Sequence, residues 1–189
     1  GHFELHRNEG SFWSCSNQDM NDWQRDAARG NREAEANEFA AELLLPEQFL
    51  KPQIDRSDPC LKELKHLASS YQMSLSAMSH RFADLTASAC AVVFSRGGMI
   101  THSIRSPLFE KQKYWIPSGR LSAYSLAYRA HQGKTIPTQM TAIEANAWFQ
   151  IPSYLQGQSL MEHSEYFRGI DLGISLLWIP PGRLLRSGP

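Results

Sequence analysis

The sequence predicts an α+β chain, with helices in residues 1–86 followed by an antiparallel sheet and a flanking helix in residues 88–180. Three observations carry this expectation. Before residue 86, apolar residues recur at helical spacing in successive stretches. From Cys90 onward the period shortens to apolar runs of strand length, parted by glycine-containing turns. The extended stretches come as two hairpin-like units, 90–104 and 158–179, without the βαβ alternation that a doubly wound parallel sheet requires.

Taken in order, residues 8–30 are polar and read as a long loop partly docked through Phe12, Trp13 and Trp23. Asn31 is a candidate N-cap, and Glu33 and Glu35 fall in the first turns, where the helix dipole favours acids. Ala36, Phe39, Ala40, Leu43 and Leu44 continue at helical spacing until Pro46 ends the helix. Pro59 is suited to open a second helix through Leu61, Leu64, Leu67 and Ala68, and Ser74 to cap a third carrying Ala77, Met78, Arg81 and Leu85. The two make a helix-turn-helix-like pair. Beyond a boundary near residues 86–88, Cys90–Phe94 and Met99–Ile104 read as strands joined by a turn at Arg96-Gly97-Gly98. Residues 118–131 read as a helix and 142–149 as a short extended piece. A hairpin is expected over 158–179, with its turn at Gly169-Ile170-Asp171, and the tail from Pro180 is expected to fray.

Composition narrows the function. Lys+Arg and Asp+Glu number 19 each, so no broad field exists to draw nucleic acid or an anionic membrane. The three cysteines, Cys15, Cys60 and Cys90, are widely spaced and odd in number, which argues for reduced thiols and a cytoplasmic setting rather than a disulfide framework. No apolar run approaches the ~20 residues of a membrane span, and no basic-then-apolar leader is seen. Neither a GxSxG nor a GxGxxG nor a Walker A sequence is present. Cys90, in an apolar strand, reads as a buried structural thiol. Trp115, Trp148, Trp178, Tyr114, Tyr124, Tyr128 and Phe149 read as core, with a ligand pocket between the sheet and the 118–131 helix, walled by Trp148 or Tyr124, as the rarer use. The helix pair makes a poor phosphate-binding stripe, since His80 and Arg81 stand against Asp84, and Lys62 and Lys65 against Glu63. DNA is therefore not the expected partner.

Two pairs of residues bear on a metal. His2 and His6 share one face if helical, and so do Glu33 and Asn37. Glu35 points to another face and is the second candidate ligand. Each pair also has a plain reading, as a surface histidine pair and as a solvated acidic first turn.

The run Glu33-x-x-Ala36-Asn37-x-Phe39-Ala40-Ala41-Glu42-Leu43-Leu44-x-Pro46 resembles the second signature of the ImmA/IrrE metallopeptidases. Gly1-His2-Phe3-x-Leu5-His6 is similar to the tail of their first signature, His-Glu-x-Gly-His-x-x-Leu-His. Tyr71-Gln72-Met73-Ser74-Leu75-x-Ala77-Met78-x-x-Arg81-Phe82 also fits the family, so that the likeness covers about residues 1–86. It implies a gluzincin-like zinc site with His2 and Glu33 as ligands and Asn37 orienting a ligand histidine from behind. It also implies cleavage of a transcriptional repressor in stress response or mobile-element control. Residues 88–180 resemble the C-terminal extension of longer members, in some a GAF-like sensor fold, and are expected to regulate. In the family the first zinc-binding His and the general-base Glu stand just ahead of the Gly-His pair, where this sequence has nothing before Gly1. The expectation is a domain truncated within its HExxH motif, which binds zinc weakly or not at all and is inactive as it stands. The alternatives are a non-enzymatic transcriptional regulator and a ligand-sensing or protein-interaction module.

Overall fold

The structure, a computed structural model, describes residues 39–112, 114–149 and 158–182. It divides into two compact units, Gly1–Leu50 and Lys51–Pro189. In the first, residues 39–44 are helical, Leu45 bends away and Pro46 follows, as the sequence predicts. Glu42 Oε1 accepts the backbone N–H of Glu47 at 3.1 Å and so caps the next helix, α1 (Glu47–Ile54), whose first amides have no helical partner.

In the second unit, α2 (Leu61–Ser70) is capped by Cys60, whose Sγ accepts from Glu63 N at 3.4 Å. Pro59 thus precedes the cap and does not sit in the first turn. Gln72, at φ 53°, turns the chain, and Ser74 Oγ accepts from Ala77 N at 3.1 Å to start α3 (Leu75–Leu85). Leu61, Leu64 and Leu67 of α2 and Met78, Phe82 and Leu85 of α3 are buried, which is the i, i+3/i+4 face of each helix.

Six strands follow: β1 (Ala89–Arg96), β2 (Met99–Arg105), β3 (Gly119–Arg120), β4 (Thr141–Glu144), β5 (Ser159–Phe167) and β6 (Leu172–Ile179). They form one sheet in the order β3-β2-β1-β6-β5-β4, and every pair is antiparallel. Two three-stranded meanders therefore meet where β1 pairs with β6. The β1–β2 turn has Gly97 at φ 55° and Gly98 at φ 74°, the two positive values that a tight hairpin of this hand needs. With α4 (Pro107–Glu110) and α5 (Leu126–His131), the chain is α+β, as its sequence predicts.

The expected helix over 118–131 is shorter than predicted. Gly119, at φ 121°, and Arg120 pair with Ile100 and Met99 as β3, and Leu121 N donates to Gly98 O at 2.9 Å. The helix starts only after Ser125, whose Oγ accepts from Tyr128 N at 3.1 Å. The expected extended piece at 142–149 is β4 followed by a 3₁₀ turn at Ala145–Ala147.

Alternation along the strands gives the sheet two buried faces. Ala89, Ala91, Val93, Leu160, Leu177 and Ile179 join Phe109 of α4, Ala127 of α5, and Trp148 and Phe149 in one core. On the opposite face, Cys90, Val92, Phe94, Ile104, Ile174 and Leu176 are buried too, and α3 packs against β1 and β2 on that side. Trp148 and Phe149 are core as predicted, but Trp115 and Tyr124 are exposed, the latter at 79%. Ala127 and Trp148 pack together in this core, and neither Trp148 nor Tyr124 lines the cleft found at the far end of α5.

Candidate functional site

His2, Glu33, Glu35 and Asn37, the residues the sequence singles out for a metal site, lie outside the described residues. So does His6. Among the described residues no group of three His, Cys, Asp or Glu side chains is placed to hold a metal ion. The described donors therefore do not fit a zinc site, and no step of a reaction is derived through one. Of the second signature only its end is described, Phe39–Leu44 as helix and Pro46 at the stop.

The described polar chemistry is concentrated on and around β5. Glu162 is wholly buried on the core face of that strand. Its Oε1 accepts from Ala127 N at 2.7 Å and from the Ser164 hydroxyl at 2.6 Å. Oε2 accepts from Leu126 N at 3.1 Å and Trp148 Nε1 at 2.8 Å. Together with the Ser125 cap on Tyr128, all three leading amides of α5 are satisfied. Burial pushes the Glu162 carboxyl above its ordinary value, and the four donors pull it back. The residue fixes α5 and Trp148 to the sheet. It was not found from the sequence, although Leu160, Glu162 and Ser164 alternate onto one face of a strand and so put an acid among core positions.

At one end of the sheet Asp171 joins the two hairpin turns. It accepts from Gly97 N at 3.1 and 3.0 Å through its two oxygens and from the Tyr166 hydroxyl at 2.7 Å. The Tyr166 bond, then the Gly97 bond, hold the Asp171 carboxyl below its usual range. The same bond raises the Tyr166 phenol.

Three histidines lie on the helix-covered side. His102 stacks on Phe94 at 4.5 Å between ring centroids. Burial lowers its pKa, and burial together with the charge of His102 lowers that of His80 on α3. His163 of β5 is 3% exposed, and its Nδ1 has no hydrogen-bond partner among the described residues. Burial holds it down, Glu165 raises it and Lys65 lowers it. Cys90 is buried as predicted, and burial pushes its thiol up to about 12, which leaves it no nucleophilic role.

Past α5 the chain leaves an open cleft of about 360 Å³ against the end of β5. Gly133 N donates to Ala130 O and Lys134 N to Arg129 O, both at 2.9 Å, which closes the helix in a Schellman turn with Gly133 at φ 73°. A Cβ at Gly133 would land on Arg168 Nη2, so the guanidinium lies directly across the glycine.

Compared with known proteins, residues 1–83 match the model of a peptidase family described as the IrrE N-terminal-like domain. No curated protein matches the chain.

Proposed function

We propose, from the match of residues 1–83 to the IrrE N-terminal-like peptidase model, that the chain is part of a zinc-dependent endopeptidase-like protein that cleaves or controls a transcriptional repressor in the cytoplasm. The observation that carries this reading is the family match itself, which spans both Gly1–His6 and Glu33–Pro46. On this reading His2 and Glu33 are zinc ligands, and Asn37 positions a ligand histidine. Zinc bound there would act as a Lewis acid and lower the pKa of a bound water. Residues 88–180 regulate the peptidase in stress response or mobile-element control.

One feature supports a protein rather than DNA as the partner. Arg81, the one arginine on the second helix of the pair, is 8% exposed, so α3 does not offer it to a groove. Among the described residues no helix is long and apolar enough to cross a membrane.

Zinc content tests the reading. The 189 residues alone, with His2 and Glu33 as the ligands, should retain well under one zinc per chain after dialysis. Placing a His-Glu-x tripeptide ahead of Gly1 should raise this toward one. In that extended chain Glu33→Gln should abolish retention, while Glu35→Gln should leave most of it, because Glu33 shares the helical face of Asn37 and Glu35 does not. Tight stoichiometric zinc in the 189-residue chain, or the reverse order of the two variants, would sink the assignment.

A further inference from the structure

The cleft beyond α5 is electrically unbalanced. Strand β4 accompanies β5 only as far as the pair Thr141–Glu162, and the chain before it, through Thr138, swings away from the remaining β5 edge. Lys134 and Arg168 both line the resulting opening and are exposed. Among the described residues neither has a carboxylate within ion-pair distance. Glu165, the carboxylate in the lining, is already held by Lys65 of α2 at 2.7 and 2.9 Å. Tyr166 donates its hydroxyl hydrogen bond to Asp171, which is outside the lining. Two positive charges therefore line the cleft with no carboxylate among the described residues to neutralise them.

A second, independent observation lies deeper. His163 lines the same cleft, is 3% exposed, and leaves Nδ1 without a partner among the described residues. A buried polar atom in that condition costs stability unless something outside the protein satisfies it. The cleft also sits at the small end of the range for metabolite pockets, which argues for a compact ligand.

We propose that this cleft binds a small oxyanion-bearing metabolite, a carboxylate or phosphate gripped by Arg168 and Lys134, with the body of the ligand toward His163. Arg168 offers a planar fork suited to two oxygens at once, and Lys134 a point charge beside it. Gly133 is what lets the guanidinium lie at the cleft mouth. The inference does not depend on the peptidase reading, since every residue in it lies outside the family match. Glu165 connects the cleft to Lys65 of α2, so an anion bound there would sit one ion pair from a helix of the matched segment.

The test uses the full 189-residue chain. Backbone amide resonances are followed while inorganic phosphate or succinate is added at constant ionic strength, with sodium chloride as control. At least one of the two anions should give saturable shifts confined to Gly133, Lys134, Thr138 and 163–168. A response to phosphate alone assigns a phosphorylated ligand, and to succinate alone a carboxylate. Lys134→Ala and Arg168→Gln should each weaken binding about tenfold. Lys134 is exposed, so its variant keeps the fold and decides the matter even if Arg168→Gln disturbs the Gly133 turn. Shifts that merely follow ionic strength, or binding unchanged in Lys134→Ala, would overturn the proposal.

Discussion

Glu162 ties the start of α5, Trp148 and Ser164 to one buried carboxylate. Burying a carboxylate without a cation costs several kcal/mol, and here four donors offset that cost. Two of them are helix amides, so the carboxylate also meets the positive end of α5. Glu162→Gln keeps the shape but replaces one acceptor oxygen with an amide that faces two donors. It should lower unfolding free energy by about 3 kcal/mol, from the usual penalty for orphaned buried groups. Urea unfolding followed by tryptophan fluorescence measures it, and a loss under ~0.5 kcal/mol would show that the four bonds are not formed together. The acid's position on the apolar face of a strand was readable in the sequence. Of its partners only Ser164 is a neighbour in sequence; the Leu126 and Ala127 amides and the Trp148 indole lie far away in the chain, where no local pattern names them.

At the scale of elements, local chemistry was legible wherever a cap or a turn announced itself. Ser74 and the Arg96-Gly97-Gly98 turn stand where the sequence placed them, because those side chains and glycines act on neighbours a few residues away. The 118–131 segment failed for the opposite reason. Its apolar residues suit a helix, but Gly119 and Arg120 are taken by the edge of β2, a partner the local pattern does not name. The helix end is equally specific. Gly133→Ala would need a left-handed backbone and would displace Arg168, so it should cost about 1–2 kcal/mol and alter the Arg168 side-chain environment by NMR. An unchanged melting curve would mean that the turn relaxes freely. The docking of α3 on β2 also has a pH signature. His80 and His102 have folded pKa values below the ordinary 6.5, so the unfolded chain takes up protons first. Their contribution is complete above about pH 6.5 and is lost as pH falls from there toward the depressed folded values. His163 adds to the same trend. The urea midpoint should drop between pH 7 and 5, and more shallowly in His80→Gln/His102→Gln. An equally steep drop in the double variant would place the titration elsewhere.

At the scale of the molecule, the two hairpins were visible in the sequence but their union was not. Pairing of β1 with β6 joins residues 89–95 to 173–179 and makes a single sheet of two meanders, a long-range choice that no local period encodes. The proposed metal ligands were legible only through resemblance, since two residues four apart are common on any helix. The sheet also sets a limit on how the chain can be divided. Helix α2 and all but the last turn of α3 fall inside the family match, yet both belong to the same compact unit as the strands. A functional boundary at residues 86–88 is therefore not a boundary of stability. Cutting there would strip α3 from β1 and β2 and open the face on which Cys90, Val92, Phe94 and Ile104 are buried. At ~1.5–3 kcal/mol for each large apolar side chain, the exposed face forfeits on the order of 10 kcal/mol, as much as a domain of this size has in total. Residues 51–189 should thus express as a soluble fragment that unfolds in one cooperative step, while residues 88–189 should aggregate or bind a hydrophobic dye. Soluble, cooperative unfolding of 88–189 would show that the sheet holds without its two helices. Any signal from the second half would then have to cross a looser joint than the packed α3 and the Lys65–Glu165 pair provide.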